Sequence, residues 1–227
     1  MKKKNINQPF RYEKKWIYNK KDYEKLLLRL FRSNLKFKIH HKKRIVNSIY
    51  FDNKNLTSIK DNIEGEKKRK KYRIRWYGSE HLIAKPVLEI KYKEALKSYK
   101  QKKIIKVKKN LDTRINVNYH YFNNSISQLT LQKNFLKPKI HVTYQRTYLI
   151  SSNNLIRATI DRNIKYKKIN KFKKNFFQNF NNIILEVKYD VSLDNYFRSK
   201  LNQVNARYSK SSKYINCMLL PSRNFST

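Results

Sequence analysis

The stretch Val87-Leu88-Glu89-Ile90-Lys91-Tyr92 returns 97 residues later as Ile184-Leu185-Glu186-Val187-Lys188-Tyr189. This repeat limits the fold more than anything else in the chain. Side chains of a strand alternate between two faces, so Glu89 and Lys91 share one face while Leu88, Ile90 and Tyr92 share the other. Glu186 and Lys188 repeat the arrangement. A third version lies near the start, where Arg11, Glu13 and Lys15 alternate with Tyr12, Lys14 and Trp16. Three strands are therefore predicted, each with a carboxylate two residues before an ammonium on one face.

Composition bounds what such strands can serve. The 227 residues suit one large domain with a substantial core. We read residues 1–9 as a disordered basic N-terminus, 10–220 as one domain and 221–227 as a tail. The formal charge is +40, from 55 Lys and Arg against 15 Asp and Glu. Such an excess points to a polyanionic partner, an anionic membrane surface or biased coding. Only 14 of the 55 are Arg, and Asn and Ile are abundant, as A/T-rich coding produces. The scarce Arg and acidic residues are therefore more informative than the Lys. The single cysteine, Cys217, excludes an internal disulfide framework and a cysteine-based zinc site, which fits a reducing compartment. The basic start lacks the apolar run of a signal peptide, and no stretch approaches the roughly 20 apolar residues that span a bilayer. A cytoplasmic protein is expected, with weak association to anionic membrane surfaces allowed by its charge.

Along the chain, Asn19 or Asp22 can cap a helix whose stripe is Leu26, Leu27, Leu30 and Phe31. Residues 45–52 read as a strand, 61–71 as a loop or short helix end, and 72–77 as a strand with Arg73 and Arg75 on one face. Gly78-Ser79 makes a turn, and residues 100–107 form another strand. A helix is expected within 116–134, closed by Pro138, followed by strands over 140–150, carrying Arg146, and 155–161, carrying Arg157. Residues 165–182 read as a mobile hairpin or loop, 193–207 as a helix and 211–219 as a short helix carrying Lys213. His40, His41 and His81 lie in polar segments without metal-ligand spacing and read as surface histidines.

This pattern predicts an α+β chain: about eight strands in an antiparallel β-barrel closed as a tunnel, with helices packed outside. A lumen lined by Lys15, Arg73, Arg75, Lys91, Arg146 and Lys188 demands an anion, because unpaired charge resists desolvation. Arg offers a rigid fork that matches phosphate oxygens and Lys a point charge. Carboxylates beside such a site have two readings. Either Glu13, Glu89 or Glu186 holds a divalent cation that bridges to phosphate, or each pairs with neighbouring Lys and Arg.

The segments Arg11-Tyr-Glu-Lys-Lys15-Trp, Ser48-Ile-Tyr-Phe-Asp52, Arg73-Ile-Arg75-Trp-Tyr-Gly78, Leu88-Glu89-Ile-Lys91, Tyr144-Gln-Arg146-Thr, Arg157-Ala-Thr-Ile-Asp161, Leu185-Glu186-Val-Lys188 and Ser212-Lys213-Tyr214 together resemble, in order, the signature segments of the VTC domain. That domain is the catalytic part of polyphosphate polymerases of the vacuolar transporter chaperone type, a branch of the triphosphate tunnel metalloenzymes. The resemblance implies a tunnel that binds ATP, tripolyphosphate or polyphosphate and transfers phosphoryl groups with Mn2+ or Mg2+. It implies Arg73, Arg75, Lys91, Arg146 and Lys213 as phosphate-binding residues, with Lys15, Lys100, Arg157 and Lys188 as partners and Glu186 as the metal ligand. Arg73, Arg75, Lys91, Arg146 and Glu186 would then carry the catalysis. Triphosphate hydrolysis in the same tunnel, non-catalytic polyphosphate binding and nucleic-acid binding are the alternatives; no specific nucleic-acid partner is expected.

Overall fold

A computed structural model of the chain describes residues 11–80, 83, 85–94, 97–105, 126, 136–169, 176–200, 208–209 and 211–220. The elements are β1 (Arg11–Asn19), α1 (Tyr23–Arg32), β2 (Lys38–Asp52), α2 (Thr57–Ile63), β3 (Lys68–Tyr77), β4 (Val87–Glu94), β5 (Lys97–Ile104), β6 (Lys137–Ile150), β7 (Arg157–Lys168), β8 (Gln178–Phe180), β9 (Asn182–Asp190), α3 (Asp194–Lys200) and α4 (Lys213–Leu219). The α+β expectation holds, with a sheet-rich chain and four helices among the described residues. The strand path is β1-β9-β7-β6-β2-β3-β4-β5, with β8 on β7. No pairing joins β1 to β5 among the described residues, so the expected closure into a barrel is not shown.

The chain forms two compact units. One takes residues 1–43, 145–163 and 181–211, and the other takes 44–144, 164–180 and 212–227. In the first unit, β1, β9 and β7 pair antiparallel. Their apolar faces supply Trp16, Leu185, Val187 and Ile160, against which the α1 stripe sets Leu26 and Leu30 and α3 sets Phe197. The cap falls one turn earlier than the helix: Asn19 accepts from Lys21 N at the head of a short 3₁₀ turn, and Asp22 makes no side-chain capping bond. In the second unit, β2, β3, β4 and β5 are successive antiparallel neighbours. Ile49, Phe51, Ile74, Trp76, Leu88 and Ile90 form its core. Burying a residue such as Trp76 on that face leaves Arg73 and Arg75 on the other, as alternation requires.

Several boundaries differ from the sequence reading. β2 starts at Lys38 rather than residue 45, because Lys38–Lys43 are exposed and carry no apolar alternation to read. Pro138 lies inside β6 at its second residue, where a missing N–H is tolerated, rather than closing the preceding region. The segment read as a hairpin or loop over 165–182 holds the end of β7 and, from Gln178, β8, which pair antiparallel as the hairpin reading has it. Buried Ile164 and Tyr166 supply the two-residue period, which the interleaved lysines obscure. The expected helix within 116–134, apart from residue 126, and residues 201–207 of the expected helix after 193 lie outside the described residues. At Gly78 the turn after β3 requires a positive φ of 98°, and its N–H donates to Ile45 O at 3.0 Å. No helix among the described residues is long and apolar enough to cross a membrane.

Candidate functional site

The repeated Glu-x-Lys strands produce two charge constellations, one in each unit. In the first unit the β1–β9 register sets Glu13 opposite Lys188 and Lys15 opposite Glu186. The four side chains interlock. Lys15 Nζ lies 2.8 Å from Glu13 Oε1 and 3.6 Å from Glu186 Oε2, and Lys188 Nζ lies 3.7 Å from Glu13 Oε2 and 2.5 Å from Glu186 Oε1. On the next strand Arg157 stands opposite Lys188 and Thr159 opposite Glu186. The Thr159 hydroxyl is buried and has no hydrogen-bond partner among the described residues. Arg146 is held differently: its Nε and Nη2 donate to the two oxygens of fully buried Asp161 at 2.6 and 2.8 Å. That fork already commits much of the guanidinium assigned to phosphate.

Behind this face, alternation turns Lys14 to the other side of β1. Its Nζ lies 5.1–5.6 Å from the ring centres of Tyr12, Tyr189, Phe197 and Tyr208 and 2.8 Å from Asp194 Oδ1. Tyr189 also donates to Asp194 at 2.6 Å. Burial opposes ionisation of Asp194, yet the hydrogen bonds from Lys14 and Tyr189 hold its pKa down at about 2. This cage fastens the strand that carries Glu13 and Lys15 to α3.

In the second unit Glu89 is the centre. Arg73 Nε donates to it at 2.6 Å and Lys100 Nζ at 3.2 Å, with Arg75 Nη1 at 3.7 Å. Burial would raise its pKa, but Arg73, Arg75 and Lys100 outweigh burial and push it well below the carboxylate range. At Lys100 burial wins instead, lowering its pKa despite the Glu89 charge. Arg75 Nη2 donates to the Tyr144 hydroxyl at 3.2 Å. Its buried Nε, however, has no acceptor among the described residues, and neither does the buried hydroxyl of Ser48 opposite it. Lys213 Nζ sits 4.8 Å from the Tyr144 ring centre. Lys91 is half-buried, between Lys71 and Lys100 on the neighbouring strands.

A set of residues from the Ser48–Asp52 and Ser212–Tyr214 segments, given no site role from the sequence, adjoins this second constellation. Tyr214 of α4 stacks on Tyr50 at 5.1 Å, and its hydroxyl donates to Asp52 Oδ2 at 2.9 Å. The other Asp52 oxygen accepts from the backbone of Asn53 and Ser58, which anchors the start of α2. Tyr50 stands opposite Arg73 in the β2–β3 register. Nothing local pairs Asp52 with a residue 162 positions away.

Of the three carboxylates expected at a metal, Glu13 and Glu186 come together, whereas Glu89 belongs to the other unit and is surrounded by three cations. No group of three or more His, Cys, Asp or Glu side chains that could hold a metal ion occurs among the described residues. Glu13 and Glu186 with the unpartnered Thr159 hydroxyl are hard oxygen donors, suited to Mg2+ or Mn2+ completed by phosphate oxygens rather than caged by protein alone. The donor set fits that use. Exposed His40 and His41 agree with the reading as surface histidines, and His81 lies outside the described residues.

Comparison with known proteins narrows the family. Among solved structures, a candidate adenylate cyclase from Bacillus halodurans aligns with TM-score 0.50 and 8% identity over 93% of this chain and 97% of that one. At that identity the likeness concerns fold. A candidate adenylyl cyclase from Hippeastrum with a dominant triphosphatase activity aligns with TM-score 0.48 and 13% identity over 92% and 98% of the two chains. No curated protein matches the sequence. The VTC domain family profile matches residues 10–220, and the chain belongs to that family.

Proposed function

We propose that this chain is a metal-dependent phosphotransferase of the polyphosphate-polymerase type. It binds the triphosphate of ATP or a phosphate chain; the phosphate-binding residues of the second unit are Arg73, Arg75, Lys91, Lys100 and Lys213, and those of the first are Lys15, Arg146, Arg157 and Lys188. The observation that carries the reading is buried Arg75, whose Nε–H and neighbouring Ser48 hydroxyl have no partner among the described residues. A buried guanidinium donor left without an acceptor is costly, and a phosphate oxygen supplies one. Membership of the VTC-domain family supports the same chemistry.

In this reading Arg75 and Arg73 orient the phosphoryl oxygens, with Glu89 fixing both guanidiniums beforehand so that little rearrangement accompanies binding. Lys15 and Lys188 neutralise Glu13 and Glu186 until an anion arrives, then turn toward it. Glu13, Glu186 and Thr159 would hold a divalent cation, Mn2+ or Mg2+, which supplies charge stabilisation to the phosphoryl group in flight. No side-chain nucleophile is required, since positioning and charge account for most of the catalysis of such transfers.

The test is incubation of purified chain with ATP and Mn2+. Polyphosphate should accumulate, and Glu186→Gln should lower the rate at least tenfold, as loss of a metal ligand does, while tripolyphosphate binding persists. Absence of product together with a wild-type-like Glu186→Gln would sink the claim. Phosphate release without chain growth would assign the site to triphosphate hydrolysis instead.

A further inference from the structure

The first part of β2 has no place in the site described above, and it is unlike every other strand of its unit. Lys38, Ile39, His40, His41, Lys42 and Lys43 are all exposed, on both faces of the strand. No carboxylate lies within ion-pair distance of Lys38, Lys42 or Lys43 among the described residues. The two imidazoles lie with ring centres 3.8 Å apart and planes tilted by 44°, and His41 meets the Tyr148 ring edge-on at 5.8 Å. These contacts hold two titratable rings in a row of ammonium groups. The row also reaches the site: Arg157 acts electrostatically on His40, stands opposite Lys188 in the strand register, and Lys188 pairs with Glu13 and Glu186.

We infer that Lys38–Lys43, continued by Arg157, form a docking ridge for the part of a long phosphate chain that extends beyond the site of the first unit. This rests on the phosphate-binding reading proposed above and adds a chain-length preference to it. Six residues of strand span about 17 Å, enough to contact several successive phosphates that a tripolyphosphate held at Lys15 and Lys188 does not offer. Charge complementarity selects the occupant, because the ridge presents ammonium groups, two imidazoles and one exposed Ile39. The groups facing His40 are Lys38, His41 and Arg157, and, with partial desolvation, they hold its pKa below the usual imidazole value. A bound polyanion reverses the sign of that field, so docking raises the His40 pKa and takes up protons.

The experiment compares the full chain with Lys38→Ala/Lys42→Ala/Lys43→Ala and with His40→Asn/His41→Asn. All five side chains are exposed, so the fold should survive, which circular dichroism checks. Calorimetric titrations would use tripolyphosphate, long-chain polyphosphate and phosphatidylserine vesicles, in buffers of different ionisation enthalpy. The triple lysine variant should bind tripolyphosphate as wild type does and bind the long chain about tenfold more weakly, with a shallower salt dependence, as expected for lost phosphate contacts. Proton uptake should accompany long-chain binding by wild type and vanish in the double histidine variant. Unchanged long-chain affinity in the lysine variant overturns the ridge, as does an equal loss for tripolyphosphate. So does a loss confined to vesicles, which would make the strand a membrane contact. If wild type binds neither phosphate, the functional proposal falls and the ridge with it.

Discussion

Glu89 meets three cations from two flanking strands, and what it does follows from that crowding. The carboxylate lies among Arg73, Arg75 and Lys100 in a buried face, so removing its charge leaves two guanidiniums uncompensated. Glu89→Gln should cost about 3 kcal/mol of unfolding free energy, the lower end of the range for a broken buried pair. Urea unfolding at neutral pH measures it. The pH dependence has a defined sign. A carboxyl whose folded pKa is depressed stabilises fully above its unfolded value and loses that contribution as pH falls toward its folded value. The gap between wild type and Glu89→Gln should therefore be complete above about pH 5 and narrow below about pH 4. A gap that stays constant into acid would show that Glu89 acts through packing. Glu186 is a different case despite the shared Leu-Glu-x-Lys context. Its partners are two lysines that also serve Glu13, a set that can open for an incoming anion.

At the scale of elements, α4 is fixed by the buried polar contact of Tyr214. It has only seven residues, too few to be stable alone, and Tyr214 fixes it through the stack on Tyr50 and the bond to Asp52. Burial first, and the Asp52 charge second, raise the Tyr214 pKa far above the phenol range. Tyr214→Phe keeps the stack and removes the donor. It should cost about 2 kcal/mol and lower Tm by roughly 4–8 °C. It should also weaken tripolyphosphate binding, because Lys213 is the next residue. A variant with lowered Tm but wild-type binding would show that α4 packs without positioning Lys213. The strands were legible because alternation with large apolar residues is a strong signal: β1, β3, β4 and β9 follow from Trp16, Ile74, Ile90 and Leu185. Where lysine replaces the apolar partner the signal fails, as at Lys38–Lys43 of β2 and the end of β7. Within the site, the Glu13/Lys15 and Glu186/Lys188 faces were readable, since each is local to one strand. Their mutual register was not, nor was the link between Asp52 and Tyr214, because both depend on pairing between segments far apart in sequence.

For the molecule as a whole, a charge of +40 would expand a loosely packed chain, and the aromatic core opposes that expansion. The 17 tyrosines should divide on alkaline titration. Burial pushes Tyr18 and Tyr72 up to about 12, and Tyr189 and Tyr214 higher still. A group with a raised folded pKa stabilises fully below its unfolded value, here about 10, and the contribution is lost as pH rises through the folded one. Absorbance and near-ultraviolet circular dichroism followed together should show an early class of tyrosines ionising with structure intact, and a late class ionising as tertiary signal collapses. A single early transition would contradict the packing of these rings. The cage around Lys14 has a further consequence for the chemistry of the chain. An acylating reagent finds most of the lysines among the described residues exposed, but the Lys14 amine is hydrogen-bonded to Asp194 and walled by four rings. Its acylation must wait for β1 to part from α3, which makes this one amine a clock for the opening of that unit.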